Sequence, residues 1–250
     1  MRILLCNDDG VGAPGLERAA AAARALTDDV WIVAPEKKWT AASHRISFDV
    51  DLALTERSPR VFACSGTPAD CVIAAMTVVD GGLAPQLVIA GINDKRNVGE
   101  DMAYSGTLAI AREASFWGVP AIALSRDAWP TDAAADTSAI GRLLKMLWSR
   151  REDWLAPDTW LAVNLPEKLP APIRQARLAR DKIASATDVV SRAPGRIVYR
   201  LRRGRPGLAG RGDENDLAAS GAIVVVRGTW RAVAPLPDLV MERWTGLLTS

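Results

Sequence analysis

The chain has 250 residues, 49% of them hydrophobic and 24% charged, which is enough to bury one sizeable core and too apolar for a disordered chain. Lys and Arg number 31 against 29 Asp and Glu, a net charge of +2, so no whole-protein field draws nucleic acid polymers or anionic lipid. No apolar run approaches the ~20 residues of a membrane span, and a cytoplasmic enzyme is the expectation. His44 is the one histidine, and Cys6, Cys64 and Cys71 show no CxxC spacing. Zinc sites of several histidines and a Ser-His-Asp triad with a histidine to spare are thereby nearly excluded, with His44 itself still open to a role, and oxygen becomes the default ligand atom. The cysteines sit in apolar contexts and read as reduced core residues.

In chain order, an apolar strand over 3–5 runs directly into Asn7-Asp8-Asp9-Gly10. Adjacent carboxylates repel unless solvent, hydrogen bonds or a cation offsets the repulsion, so this pair at a strand's carboxyl end points to a metal site. A helix is expected over 15–26 and a strand over 30–34. The loop that follows, VAPEKKWTAASHRIS over 33–47, carries the hydroxyls of Thr40 and Ser43. A strand over 61–64, a helix over 69–79 and a buried strand over 87–90 ending at Gly91 come next. Asn93 and Asn97 lie in the loop beyond it. Tyr104-Ser105-Gly106-Thr107 then opens a helix over 106–117, and helix N-termini with small hydroxyl residues hold phosphate through free N–H groups and the dipole. A strand over 121–124 and a helix over 133–149 complete the rhythm of parallel strands with crossover helices. The fold class is therefore α/β, a doubly wound, mostly parallel sheet with ligands outside the strands' carboxyl ends, where Asp8, Asp9, Asn93 and Ser125 fall.

Beyond residue 150 the pattern loosens into a strand over 160–165, mostly extended structure over 173–201, a strand over 222–226 and a short helix or arm over 236–248. The Gly- and Arg-rich stretch 202–213 reads as a solvated loop or as a surface for an anionic ligand.

Gly10, Gly12 and Gly15 spell G-x-G-x-x-G between strand and helix, with Glu36 about 20 residues on, which raises dinucleotide binding and an NAD(P)-dependent oxidoreductase. Three features oppose it. Asn7, Asp8 and Asp9 intervene before the first glycine, Pro14 occupies the loop, and paired carboxylates would repel a pyrophosphate. Glycines that turn the chain and allow close helix packing are the plainer reading of Gly12 and Gly15.

NDDGxxAPG, VAP with its Ser/Thr loop, Gly66-Thr67-Pro68-Ala69-Asp70-Cys71, Gly91-Ile92-Asn93, Asn97-Val98-Gly99 and Tyr104-Ser105-Gly106-Thr107, in this order, resemble SurE, the stationary-phase survival protein family of nucleotidases and acid phosphatases. The likeness covers the chain to about Ser125, includes Val163-Asn164-Leu165-Pro166, and thins after Glu167 to positions such as Asp216 and Gly221. It implies a Rossmann-like catalytic core over 1–167. Residues 168–250 would form a part packed on it, with an extended hairpin or exchange arm used in homodimers or homotetramers. It implies hydrolysis of nucleoside 5′- and 3′-monophosphates with one divalent metal ion per subunit. Asp8, Asp9, Thr40 and Asn93 would be the ligands, with Thr40 where the family usually has Ser. All four offer oxygen, which favours Mg²⁺ or Mn²⁺, with Ca²⁺ possible. Asp8, Asp9 and Asn93 would carry catalysis, with water or an Asp carboxylate as nucleophile. Asn97, Ser105, Gly106, Thr107, Ala41 and Ser43 would hold phosphate.

Measured against the family pattern, Ala41 replaces a glycine, His44 replaces an Asn, and Asp94-Lys95-Arg96 replaces a more neutral stretch. Lys95 or Arg96 would bind phosphate or be solvated. His44 would be a general acid or a structural hydrogen-bonder, and Trp39 would stack on a nucleobase or pack on its own domain. A catalytically weakened nucleotide- or phosphate-binding homologue is the reading from a different class.

Overall fold

A computed structural model describes residues 1–180, 184, 186–202, 212–231 and 244. Nine strands form one sheet in the order β3-β4-β2-β1-β5-β6-β7-β11-β8. They are β1 Ile3–Cys6, β2 Val30–Pro35, β3 Leu54–Ser58, β4 Val61–Cys64, β5 Leu87–Asn93, β6 Ala121–Ser125, β7 Thr159–Asn164, β8 Ile173–Gln175 and β11 Ile223–Thr229. A separate antiparallel pair holds β9 Ala186–Ala193 and β10 Arg196–Arg202. The helices are α1 Pro14–Ala23, α2 Pro68–Thr77, α3 Asp101–Tyr104, α4 Gly106–Phe116, α5 Ala133–Ser149 and α6 Glu214–Ala219.

The central strands are buried on both faces, which is why they read as continuous apolar runs. Along β1, Ile3 and Leu5 join one core with Leu16 of α1 and Ile140 and Leu144 of α5. Leu4 and Cys6 join the other, with Val72 of α2 and Leu108 of α4. The period of two thus divides one strand between two helical layers. Cys6, Cys64 and Cys71 are free and buried.

Two parallel partners flank β1, β2 on one side and β5 on the other. The chain winds outward in one direction through β2 and β4, then returns to build β5, β6 and β7, so the strand order reverses between β1 and β5. A crevice opens at such a switch point, outside the carboxyl ends of the strands. Gly15 places α1 against that edge, since a Cβ there would stand 2.0 Å from the Ile92 carbonyl oxygen. Gly12 has nothing within 4 Å of an added Cβ.

Several elements differ from the sequence expectations. β5 runs through Gly91 to Asn93, because Gly91 at φ 111° carries a shift in register that still pairs Asn93 with Ser125. The short polar β3 and α3 carry no apolar period to announce them. The stretch 173–201 resolves into β8, β9 and β10, and β8 and β11 extend the main sheet. Most of 202–213 and of 236–248 lies outside the described residues. Among the described residues no helix is long and apolar enough to cross a membrane.

Candidate active site at the β1–β5 crevice

The turn after β1 is closed by Asn7, whose side chain donates to the Gly10 carbonyl at 2.9 Å and accepts from the Gly10 N–H at 3.2 Å. Gly10 takes φ 108°, which L side chains rarely adopt. Asp8 and Asp9 are thereby presented at the strand end. Asp8 is buried and accepts a 2.5 Å hydrogen bond from Thr107 Oγ1. Burial pushes its carboxyl up to about 6, and the neighbouring Asp9 adds to this. The Thr107 bond and Lys38 act in the opposite direction. Asp9 is ion-paired with Lys38, whose ammonium also lies 3.0 Å from Asp94 Oδ2. Partial burial opposes the charge on Lys38; the bonds to Asp9 and Asp94 outweigh it and raise its pKa.

The start of α4 faces the same carboxylate. Ser105 is its N-cap and accepts from the Leu108 N–H at 3.2 Å. A Cβ on Gly106 would meet Asp8 Cβ at 2.7 Å and Oδ2 at 2.9 Å, so only glycine lets the helix approach this closely. The side chains of Ser105 and Thr107 are thus engaged with the helix cap and with Asp8. What this N-terminus offers an anion is its first-turn N–H groups.

Asn93 follows along β5, beside β1. Its amide nitrogen donates to the Lys95 carbonyl at 2.6 Å, which leaves the amide oxygen as the atom available to a ligand. Asn97 is buried in a polar knot: its side chain donates to Ser125 Oγ at 2.7 Å, and its backbone exchanges two bonds with the Asn164 side chain. That knot fastens the ends of β5, β6 and β7 together, so Asn97 shapes the loop that carries Asn93.

The hydroxyl loop reaches the crevice from β2. Trp39 N–H donates to the Asp8 carbonyl at 2.7 Å, which brings exposed Thr40 to the neighbourhood of the pair. Ser43 is anchored on α3 by its hydroxyl to the Ala103 carbonyl at 2.6 Å and its N–H to the Tyr104 carbonyl at 3.0 Å. Ala41 and Ser43 take φ 54° and 56°, so the position where the family has glycine does require left-handed backbone. The Gly66–Asp70 motif secures the far end. Thr67 and Asp70 form a capping box on α2, Thr67 Oγ1 donates to the Arg45 carbonyl at 2.6 Å, and Asp70 accepts from Ser47 N–H at 3.0 Å.

His44 and Arg96, each open to a functional and a plainer reading, both have protein partners. His44 Nε2 is 2.7 Å from Glu113 Oε2, and the ring stacks on Phe116. Glu113 is seven residues along α4 from Gly106, about 10 Å. Arg96 is ion-paired with Asp127. Lys38 is the residue that sequence reasoning missed. Its signal was the acidic Asp94, on a loop that strand order brings alongside.

A hard cation would find Asp8, Asp9 and the Asn93 oxygen here, with Thr40 on the approaching loop. Among the described residues no three His, Cys, Asp or Glu side chains group for a metal, so any such site relies on neutral oxygens beside two carboxylates.

Residues 3–188 match the family model described as "Survival protein SurE". A protein of Rhodopseudomonas palustris strain BisA53 named 5′-nucleotidase SurE is 41% identical over 182 residues, covering 72% of this chain and 71% of that protein. One of Bradyrhizobium diazoefficiens with the same name is 42% identical over 187 residues, with the same coverage. The crystal structure of the SurE protein from Aquifex aeolicus matches 99% of each chain with a TM-score of 0.78 at 25% identity.

Proposed function

The chain belongs to the SurE family, and we propose that it is a divalent-metal-dependent phosphatase that hydrolyses nucleoside 5′- and 3′-monophosphates to nucleoside and phosphate. The relatives' names support phosphoric monoester hydrolysis on nucleotides. The observation that carries the metal dependence is Asp8, a buried carboxylate beside a second one, with α4 brought against it at Gly106 in a contact that any Cβ would prevent. Such a carboxylate is unfavourable as an anion by itself, and the donor set of carboxylate, amide and hydroxyl oxygens fits Mg²⁺ or Mn²⁺, with Ca²⁺ as the softer alternative in geometry.

A divalent cation held there would supply neutralisation of phosphoryl charge and would orient or acidify water. The chain's own residues do the rest. Asp8, Asp9, Asn93 and Thr40 would hold the cation. Thr107 fixes the rotamer of Asp8 through its hydroxyl. The first-turn N–H groups of Gly106 and Thr107 would face the phosphoryl oxygens, with the helix dipole behind them. Ser43 holds the loop bearing Thr40 and Ala41 over the crevice from the side of α3. On β9 and β10, Val189, Val190, Ile197, Tyr199 and Leu201 are exposed, and this apolar hairpin supports a homodimer or homotetramer.

The test is a phosphate-release panel over 5′- and 3′-nucleotides and polyphosphate with each metal, run alongside Asp8→Asn. Metal-dependent release that Asp8→Asn abolishes is expected. Full activity in Asp8→Asn, or metal-independent release, would refute the assignment. Saturable nucleotide binding without release would instead identify a binding homologue.

A further inference from the structure

Lys38 and the carboxylates it meets come from three different strand ends. It lies after β2, Asp9 after β1 and Asp94 after β5, and its ammonium joins Asp9 to Asp94 across the crevice. We propose that Lys38 competes with the divalent cation for the Asp9 carboxylate, and that Asp94 is the partner on which Lys38 remains once the cation binds. The inference rests on the nucleotidase reading, because it needs Asp9 to be a ligand of that cation.

The two carboxylates differ in setting. The Asp9 side chain is 9% exposed, whereas Asp94 is 57% and Lys38 48% exposed. An ammonium on Asp9 therefore neutralises a charge that has little water. The same ammonium on Asp94 makes a solvated pair that costs little to form or to break. A divalent cation and an ammonium at contact distance repel, so both cannot stand against one oxygen of Asp9.

Only the side chain of Lys38 needs to move. Its neighbour Trp39 is held by the Asp8 carbonyl at 2.7 Å. The loop bearing Asp94 is tied down on both sides, by Asn93 to the Lys95 carbonyl and by Arg96 to Asp127. Lysine suits the task, as a compact charge on a flexible stem that holds no fixed fork geometry. Charge also balances. Asp8, Asp9 and Asp94 together match one ammonium and one divalent cation, so the charges of this group sum to zero before substrate enters. The acidic Asp94 and the basic Lys38 thus form one device, in which each gives the other its purpose.

The experiment is calorimetric titration of the full chain with Mn²⁺ alone, supported by spin-resonance counting of free Mn²⁺. Lys38→Met is expected to tighten the Mn²⁺ Kd on the order of tenfold, and Lys38→Gln to do the same with a polar side chain. Asp94→Asn is expected to weaken it several-fold, because Lys38 is then left to Asp9; in the Lys38→Met background that substitution changes Kd by no more than about twofold. Lys95→Met removes an equal charge from the exposed rim and controls for general electrostatics, with a change within about twofold. An unchanged or weaker Kd in Lys38→Met, an equal gain in Lys95→Met, or an undiminished Asp94→Asn effect in the double variant overturns the inference and leaves the metal reading standing. Absence of Mn²⁺ binding by wild type and every variant overturns both.

Discussion

Gly106→Ala isolates the contact on which the site depends. The added Cβ would lie 2.7 Å from Asp8 Cβ, about 1 Å inside an ordinary carbon–carbon contact. Asp8 Cβ is one bond from a backbone fixed by the Asn7–Gly10 turn and by Trp39. Relief must therefore come from displacing the start of α4 or from turning the carboxylate away from Thr107. Overpacking of this kind costs ~1–3 kcal/mol, while exchanging glycine for alanine in a helix returns up to about 1 kcal/mol. The net loss of about 0–3 kcal/mol lowers Tm by no more than about 12 °C in a chain of this size. Misplacing a ligand by ~1 Å, in contrast, removes on the order of 100-fold in turnover. The expected result is a folded protein with phosphate release from a nucleoside monophosphate reduced about 100-fold in the presence of Mn²⁺. Gly12→Ala, with no atom within 4 Å of the new methyl, should keep its activity. Wild-type kcat in Gly106→Ala, or an equal loss in Gly12→Ala, would refute the reasoning.

Two further predictions concern strain and charge. Ala41 sits at φ 54°, so Ala41→Gly relieves a left-handed alanine at the cost of a more flexible unfolded chain, and the balance should raise stability by up to about 1 kcal/mol. Thermal unfolding reads the gain, and a lower Tm would show that the loop does not require that backbone. In the metal-free protein burial holds the Asp8 carboxyl at about 6, above its ordinary value of 3.8, so between those values the folded state holds a proton that the unfolded state has released. The Asp8 contribution to stability is then greatest below about pH 4, falls as pH rises to about 6, and levels off above, a difference of roughly 3 kcal/mol for about two pK units. Urea midpoints across this range, compared with Asp8→Asn, isolate the group: the fall should be smaller in the variant, and equal slopes would exclude Asp8 as its source. Added Mn²⁺ should reverse the fall by favouring the ionised carboxylate.

The core was legible because burial writes itself into periodicity. The strands over 3–5, 30–34 and 61–64 each match an observed strand to within a residue or two, and the helix over 133–149 coincides with α5. The elements that were not legible lack that pattern. β3 is LTERS on the sheet edge, with four of its five residues exposed, and α3 is a single turn. Past residue 167 the strands β9 and β10 are exposed almost throughout, so neither face has a buried side to set a period of two.

The site divides along the same physical line. Asp8, Asp9, Asn93 and the α4 start could be located because parallel strands deliver their carboxyl ends to one edge, whatever the side chains there do. What each hydroxyl or ammonium bonds to could not, because those partners are remote in sequence and polar. Thr107 reaches Asp8 across 99 residues, Asn97 reaches Asn164 across 67, and Lys38 reaches Asp94 across 56. No hydrophobic period registers such pairs; they follow only from strand order, which places β2, β1 and β5 side by side. Ser105, which taken singly reads as an N-cap, does cap α4 through the nearby Leu108 N–H, whereas the role of Thr107 as a support for the Asp8 carboxylate emerges only once α4 is set against β1. On the proposed reading, phosphate would be met by the backbone of Gly106 and Thr107, where a side-chain substitution leaves the N–H donors in place and only a displacement of the helix removes them.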